Sequence, residues 1–301
     1  MTIKNFKLDV PELIRVSSGK VREIFCFEGY EDEIIIVATD RISAFDQVLD
    51  DPIPGKGKIL TQISKFWFEF LGDIIPSHFI SSDINALPMS LMPFDDILDG
   101  RTILARRARV LPIECIVRGY ISGSAWKEYQ SSGAVCGQKL PEGMVESERF
   151  PVPIFTPSTK AELGGRDENI SFSQMAEVVS NDLACQMRNA SLSLYEKAAE
   201  YALEKGIIIA DTKFEFGLDQ NNELILIDEV LTPDSSRFWP VDKYRLSGPQ
   251  PSFDKQYLRD YLTSVGFTGE PGQPIPKLPG DIILKTANLY QEALERLIGN
   301  K

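Results

Sequence analysis

Histidine is nearly absent from this chain of 301 residues, in which His78 is the single copy. This excludes a metal site built from clustered histidines and argues against a Ser-His-Asp triad. The four cysteines are far apart and form no CxxC pair, so we interpret them as reduced thiols rather than as a disulfide framework. We expect His78, in the segment IIPSHFISSD, to have a structural role.

Long apolar runs and an excess of positive charge are also missing. No run approaches the roughly 20 apolar residues that span a bilayer, and the start, MTIKNFKLDVPEL, lacks the apolar core of a signal peptide. The 32 basic and 44 acidic side chains give a net charge of −12, which argues against nucleic acid or an anionic membrane as partner. The composition therefore predicts a soluble, cytoplasmic protein.

Basic side chains are nevertheless concentrated in residues 101–127, which contain one acid, Glu114. The basic residues of this stretch are Arg101, Arg106, Arg107, Arg109, Arg118 and Lys127. Because a negatively charged protein repels anions at long range, an anionic substrate would need a local basic pocket. This stretch is the candidate for that pocket.

The length allows two lobes or one large α/β unit. Two strands around a turn are predicted for LIRVSSGKVREIFCF, and one buried strand is predicted for EDEIIIVATD. Apolar spacing over residues 57–72 predicts a helix that ends at Gly72. RTILARRARV and IECIVRGY predict two strands with Pro112 between them. We place the lobe boundary there, giving a β-rich lobe at 1–111 and an α/β lobe at 112–301.

Within the second lobe, a Pro- and Gly-rich stretch at 137–169 predicts a long loop of the kind that is often functional or mobile. SFSQMAEVVSNDLACQM and SLSLYEKAAEYALEKG predict two amphipathic helices, the second ending at Gly206. GIIIADTKFEFGL and ELILIDEV predict a strand pair joined by the turn DQNN. Two helices near 253–265 and 281–298 are predicted to follow.

The register of this strand pair decides which charged residues meet. If DQNN is the turn, Leu218 faces Glu223, and counting outward places Lys213 opposite Asp228. Side chains alternate along a strand. The polar positions of the first strand therefore share one face, and its apolar positions share the other.

Asp211, Lys213 and Glu215 are the residues of that polar face. Glu215 then lies diagonal to Asp228, within side-chain reach of one ion. Mg²⁺ is commonly held by one or two protein carboxylates together with phosphate oxygens. The pattern predicts a magnesium–polyphosphate site, with Asp211 and Lys213 beside it.

A solvated face of a half-exposed hairpin would explain the alternation equally well. The segment LTPDSSRFW that follows Asp228 and Glu229 favours a site instead, because it adds Asp234, two serines and Arg237. Arginine is the side chain suited to bidentate binding of phosphate or carboxylate.

Two further segments fit a nucleotide-binding protein, although no GxxxxGK[ST] loop is present. In SSGKVR, a hairpin turn at Ser18 and Gly19 can lie over a nucleotide, with backbone N–H groups and Lys20 or Arg22 meeting the phosphates. Taken alone, this segment is equally consistent with an ordinary turn.

The segment ECIVRGYISGSAWKEY places Arg118 at a strand end. Ser122, Gly123 and Ser124 then open a helix, with Ser122 or Ser124 as its cap. An arginine, free N–H groups at a helix N-terminus and a hydroxyl together predict a monophosphate pocket.

Seven motifs in order over residues 18–239 resemble the phosphoribosylaminoimidazole-succinocarboxamide synthase (SAICAR synthetase) family. They are SGKVREIF, DRISAFD, IPGKGKILTQIS, ECIVRGYISGSAWKEY, FTPSTKAE with DENIS, ADTKFEFGL and DEVLTPDSSRFW. The length of the 137–165 loop and of the C-terminal part is similar to the longer, fungal-type members. The resemblance implies an α+β, two-lobed, ATP-grasp-like fold with mainly antiparallel sheets and a nucleotide cleft between the lobes.

The resemblance also implies an activity. The family joins carboxyaminoimidazole ribonucleotide (CAIR) to L-aspartate with hydrolysis of ATP to ADP and phosphate, in de novo purine synthesis. The expected partners are these three small molecules with Mg²⁺, and the expected assembly is a monomer or a small homo-oligomer. A small-molecule kinase on a related fold is the alternative enzyme, and a nucleotide-binding regulatory protein with a vestigial site is the alternative of another class.

Site roles follow from the resemblance residue by residue. The expected ATP site comprises Ser18, Gly19, Lys20, Arg22, Val110, Glu215 and Asp228. The last two are the expected metal ligands, and they form the catalytic group with Asp211 and Lys213. The expected CAIR site comprises Glu114, Arg118, Ser124 and Arg237. Lys160 and Asp167 are assigned to L-aspartate.

Overall fold

Two five-stranded antiparallel sheets form the framework of the residues described by the computed structural model, 2–160, 168–253 and 255–299. The strands are β1 (Leu13–Ser18), β2 (Arg22–Phe27), β3 (Tyr30–Ala38), β4 (Ser43–Ala44), β5 (Gln47–Val48), β6 (Phe79–Ser81), β7 (Thr102–Arg106), β8 (Arg109–Tyr120), β9 (Ala134–Val135), β10 (Gln138–Lys139), β11 (Arg149–Thr159), β12 (Ile207–Leu218), β13 (Leu224–Ile227) and β14 (Ser236–Pro240). The α-helices are α1 (Lys56–Phe70), α2 (Asp95–Leu98), α3 (Gly123–Ser132), α4 (Phe172–Val179), α5 (Asn181–Glu204), α6 (Gln256–Ser264) and α7 (Gly280–Ile298). This is the expected α+β class.

The first sheet has the strand order β1-β2-β3-β7-β6. Successive apolar residues of β3 alternate between two packed faces. Ile35 and Val37 join Phe25 in one buried cluster, and Ile36 joins Ile103 in another. Because both faces are covered, the strand is apolar at every position from Ile34 to Ala38, which is why the sequence predicts a buried strand.

The second sheet has the order β11-β8-β12-β13, and β14 pairs with the first half of β12. Phe214 and Phe216 of β12 are fully buried in the main core, to which α5 also contributes. Burying such side chains stabilises the fold by about 2–3 kcal/mol each. The alternate residues of β12 point to the other face, where the charged groups of the cleft lie.

The helix break predicted near residue 189 is wrong, because α5 runs unbroken from Asn181 to Glu204. The break lies at Ser180, whose φ of 83° ends α4 and whose hydroxyl accepts from the backbone N–H of Leu183. Ser191 lies inside this helix, where its buried hydroxyl donates to the Met187 carbonyl at 2.7 Å and is thereby satisfied. The predicted stop at Gly206, with φ of 76°, is confirmed.

The long loop predicted for 137–169 contains the eleven-residue strand β11. Its three prolines are tolerated because β11 is at the edge of the sheet and pairs only with β8 among the strands described. Pro112, predicted to separate two strands, lies inside β8, and the chain leaves the first sheet at residues 107–108 instead. The division into lobes at residue 112 stays a prediction.

His78 joins the two sheets. Its backbone N–H donates to Leu226 of β13, and its carbonyl accepts from Arg106 of β7. Its side chain is 2 % exposed and packs against Phe68, with ring centroids 5.4 Å apart. The structural role expected for this residue agrees with its position.

We expect this histidine to make stability depend on pH. Burial lowers the pKa of His78 from 6.5 to about 4. The unfolded chain therefore binds the proton more readily, and the His78 contribution is present above pH 6.5 and is lost as the pH falls toward 4. The difference amounts to about 3 kcal/mol. Urea unfolding of wild type and His78→Gln at pH 7 and pH 5 checks this. The free energy of unfolding should fall less between pH 7 and pH 5 in the variant than in the wild type, and an equal fall in both proteins would contradict this account.

Candidate active site

A cleft of about 490 Å³ opens on the charged face of the second sheet. Its lining comes from the turn between β4 and β5, from β8, α3 and β12, from the loop before β14 and the first residues of β14, and from the start of α6. The residues are Asp46, Glu114, Ile116, Arg118, Ser124, Asp211, Thr212, Lys213, Pro233, Asp234, Ser235, Ser236, Arg237, Lys255 and Arg259. The cleft therefore contains most of the residues that the sequence assigned to CAIR and to catalysis.

Charged residues of β12 and β8 alternate in sign along the cleft. Lys213 Nζ is 2.5 Å from Glu114 Oε1 and 3.5 Å from Glu215 Oε1. Burial lowers the pKa of Lys213, but the two carboxylates outweigh it and raise this pKa above its ordinary value. Lys160 Nζ lies 2.5 Å from the other oxygen of Glu215. Glu215 is thus a buried carboxylate with a lysine on each side.

The predicted hairpin register is wrong by one residue. Leu218 pairs with Leu224, which places Ile227 opposite Glu215. β13 ends at Ile227, and Asp228 has a left-handed φ of 67°, so it leaves the sheet rather than continuing the alternation. The pKa of Asp228 is raised by burial, but Arg22 and then Lys213 and Lys160 outweigh this and lower it. Asp228 and Glu215 therefore lie near the same lysines, although the predicted pairing is not what brings them together.

Arg22 connects the first sheet to these acids. One guanidinium nitrogen, Nη2, donates to Asp228 Oδ2 at 2.9 Å, and Nη1 is 3.3 Å from Glu229 Oε1. Burial lowers the pKa of Arg22, but the surrounding carboxylates raise it above its ordinary value. Burial dominates at Glu229, whose pKa is raised. Arg22 thus spans the space between the covering hairpin and the end of β13.

The predicted turn between β1 and β2 is confirmed at residues 19–21. Gly19 N–H donates to the Arg22 carbonyl at 2.8 Å, and the Ser18 hydroxyl donates to Glu23 at 2.9 Å. The turn is supported from below by Arg41, which donates to the Gly19 and Lys20 carbonyls. Arg41 lies in the motif DRISAFD but was given no role, since no local pattern links it to carbonyl groups 21 and 22 residues earlier.

Arg118 and Arg237 lie on either side of Asp211. Arg118 donates through Nη1 to Asp211 Oδ2 at 3.0 Å and through Nη2 to the Ser124 hydroxyl at 3.2 Å, and Arg237 Nη1 also donates to Asp211 Oδ2. Thr156 accepts from Arg118 Nε at 2.9 Å. The predicted monophosphate residues thus converge, and Asp211 orients both guanidinium groups.

The N-terminus of α3 completes this pocket. Gly123 is the first helical residue, with φ of 57°, and a Cβ there would lie 2.3 Å from Arg237 Nη2. A side chain at this position would be strained by the backbone conformation and would displace the Arg237 guanidinium. Ser122 precedes the helix as predicted, but its hydroxyl makes no capping hydrogen bond, and Ser124 binds Arg118 instead.

Two further predicted positions of the described chain, Lys20 and Val110, lie outside the cleft lining. Lys20 reaches Asp46 at 2.7 Å, and Val110 is half-exposed at the start of β8, where it pairs with Gly217. Asp167, assigned to L-aspartate, lies outside the described residues. The roles of these residues stay predictions.

Asp234 was noticed in the sequence but was given no role, and Lys56, Lys255 and Tyr290 were missed. Lys56 Nζ is 2.7 Å from Asp234 Oδ2, Lys255 Nζ is 3.3 Å from the same oxygen, and the Tyr290 hydroxyl donates to Oδ1 at 2.5 Å. These four residues come from distant segments, so no spacing in the sequence could group them.

Comparison with known proteins decides the family. A family sequence profile described as SAICAR synthetase matches residues 15–273. The chain belongs to the SAICAR synthetase family. It is 56% identical to the phosphoribosylaminoimidazole-succinocarboxamide synthase of Desulfotalea psychrophila over 99% of this chain and 100% of that protein, and 55% identical to that of Pelobacter propionicus over 97% and 96%. The family reaction, ATP-dependent ligation of CAIR and L-aspartate in purine biosynthesis, is therefore assigned to this chain, and the kinase alternative is not favoured.

Solved structures of SAICAR synthetases share the fold. The SAICAR synthase of Saccharomyces cerevisiae complexed with SAICAR is 47% identical with a TM-score of 0.89, covering 100% of this chain and 99% of that one. A SAICAR synthetase in complex with ADP is 25% identical with a TM-score of 0.69, covering 95% and 98%. The closer match to the yeast protein agrees with the expected longer form, which the bacterial relatives of similar length share.

Proposed function

We propose that the cleft is where this chain performs the ligation, with the ribonucleotide phosphate held by Arg118, Ser124 and Arg237. The observation that carries this assignment is the Arg118–Asp211–Arg237 arrangement at the N-terminus of α3. Two arginines, a hydroxyl and the positive end of a helix are complementary to a phosphate monoester. Glu114, linked to Lys213, is assigned to the carboxylate-bearing end of the same substrate.

ATP is assigned to the side of the cleft covered by the β1–β2 turn. Ser18 ends β1, Gly19 and Lys20 form part of that turn, and Val110 lies near the start of β8, where the chain passes from the first sheet to the second. Arg22 reaches the acids at the end of β13, so it connects the turn to the phosphate region. We assign its guanidinium to the phosphates of the nucleotide.

Glu215 and Asp228 suit a magnesium ion. Within residues 2–160, 168–253 and 255–299, no three His, Cys, Asp or Glu side chains are grouped to hold a metal. Two carboxylates are nevertheless sufficient for Mg²⁺ when phosphate oxygens complete its coordination. Both are buried or partly buried acids beside lysines. A bound Mg²⁺ would neutralise charge on the triphosphate.

The residues of the cleft act mainly by positioning charged reactants. The carboxylate of CAIR is a poor acyl donor, so it must first be activated. One of its oxygens attacks the γ-phosphorus of ATP, which gives an acyl phosphate of CAIR and ADP. The amine of L-aspartate then attacks the acyl carbon, with loss of a proton and of phosphate. Lys213 neutralises charge that develops on the transferred phosphoryl group, and Asp211 holds the two arginines in place.

Lys160 is assigned to a carboxylate of L-aspartate, because it is 41 % exposed and its ammonium group lies beside Glu215. Asp167 is the second residue of that assignment. Location in the cytoplasm and the monomeric or small homo-oligomeric state also belong to this proposal. No helix in the described ranges has the length and apolar character needed to cross a membrane.

The test is a coupled assay for release of phosphate from ATP in the presence of CAIR and L-aspartate. We expect phosphate release to require both, with SAICAR and ADP as the other products. A phosphorylated product without consumption of L-aspartate would indicate a kinase. Nucleotide binding without any turnover would indicate a vestigial site.

A further inference from the structure

The buried carboxylate of Asp234 joins four distant parts of the chain at the cleft wall. Its Oδ2 contacts Lys56, at the start of α1, and Lys255, just before α6. Its Oδ1 accepts from Tyr290 of α7 at 2.5 Å. Lys56 and Tyr290 are fully buried, whereas Asp234 and Lys255 line the cleft.

The charges of this group favour an ionised Asp234. Burial raises the pKa of its carboxyl, but Lys255 and Lys56 outweigh burial and hold this pKa well below its ordinary value. Both ammonium groups form ion pairs with the same oxygen, Oδ2. The Tyr290 hydroxyl holds the other oxygen and so fixes the rotation of the carboxylate about its own axis.

Helix α7 is placed to supply this hydroxyl because it packs along α1. Lys56 Nζ lies 5.8 Å from the centre of the Tyr290 ring, so the same tyrosine contacts both the carboxylate and one of its cations. A helix at the far end of the sequence thereby reaches the wall of the cleft.

We propose that Tyr290 is a positioning residue for the ligation, acting through Asp234 on the cleft cation Lys255. This inference rests on the proposed function of the cleft. The orientation of Asp234 determines where the Lys255 ammonium group sits, and Arg259 and Arg237 line the same wall. Because Arg237 is assigned to the ribonucleotide phosphate, the binding of CAIR, rather than of L-aspartate or ATP, should depend on the position of the Lys255 ammonium group.

Tyr290→Phe tests this with little change of shape, and Tyr201→Phe is its matched control. The Tyr201 hydroxyl donates to the Leu297 carbonyl at 2.8 Å, so it also fixes α7, but at a point away from the cleft. We expect Tyr290→Phe to raise KM for CAIR about tenfold, with KM for ATP changed less than twofold. Tyr201→Phe should leave both KM values unchanged, although either variant lowers the Tm.

A KM for CAIR in Tyr290→Phe that equals the wild-type value would overturn the proposal, as would an equal rise in both KM values. Calorimetric titration of each variant with CAIR alone checks the same affinity without turnover. Wild-type protein that neither binds CAIR nor turns over would refute the proposed function itself, a result distinct from a defect confined to Tyr290→Phe.

The double variant with Asp234→Asn tests the route of the effect. If Tyr290 acts through Asp234, adding Tyr290→Phe to Asp234→Asn should raise the KM for CAIR by a further factor of less than two. A KM for CAIR in the double variant that is ten times that of Asp234→Asn would contradict that route. If Asp234→Asn does not fold, the comparison of the two tyrosine variants decides alone.

Discussion

Replacing Glu215 with glutamine is expected to lower kcat by about 10³-fold while the protein stays folded. The side chain is 6 % exposed and keeps its shape in the variant, but it loses the charge that faces Lys160 and Lys213. A neutral amide is a weak ligand for Mg²⁺, so half of the proposed protein ligand set is removed. Steady-state kinetics over a range of Mg²⁺ concentrations should show both a lower kcat and a higher requirement for the metal.

Glu223→Gln is the matched control for this change. Glu223 lies at the other end of the same hairpin, is exposed, and is used there through its backbone groups. Its kcat should be that of the wild type. Near-normal turnover in Glu215→Gln would refute the metal assignment, whereas an unfolded circular dichroism spectrum would move the test to Asp228→Asn.

Gly123→Ala is expected to raise KM for CAIR by about 30-fold and to affect KM for ATP little. The new methyl group would lie 2.3 Å from Arg237 Nη2, so the guanidinium must move away from Asp211. Because the displaced atoms are the far end of a flexible side chain, the phosphate pocket should be damaged more than the fold.

Gly133→Ala separates this effect from backbone strain. Gly133 ends the same helix with φ of 68°, close to the 57° of Gly123, and a Cβ there would meet nothing within 4 Å. Both variants should lose similar stability, measured by urea unfolding, but only Gly123→Ala should show the rise in KM. Equal KM values in the two variants would remove Arg237 from the phosphate pocket.

The charged face of β12 could be predicted because strand alternation has a fixed period of two. Asp211, Lys213 and Glu215 share a face whatever the partner strand does. The register could not be predicted, because it depends on the loop. The Asp219 side chain accepts from the backbone N–H groups of Asn221 and Glu223, which lengthens the turn by one residue and shifts the pairing.

Contacts between residues that are distant in the sequence also could not be predicted. Arg118 and Arg237 were recognised because each lies beside serines or a helix start that suit an anion. Asp234 and Lys56 are 178 positions apart, and neither motif indicates the other. Their pairing depends on how α1 packs near the loop before β14, which is a property of the three-dimensional fold.

The edge position of β11 has a consequence for how copies of this chain can associate. Prolines at 151, 153 and 157 remove three N–H donors from the strand, and residues 168–170 cover its end through bonds to Pro157 and Thr159. A second copy therefore finds few free donors with which to extend the sheet. Continuous intermolecular β-sheets are therefore disfavoured at this border, and a sheet shared between two copies would need a different edge strand, such as β1 of the first sheet.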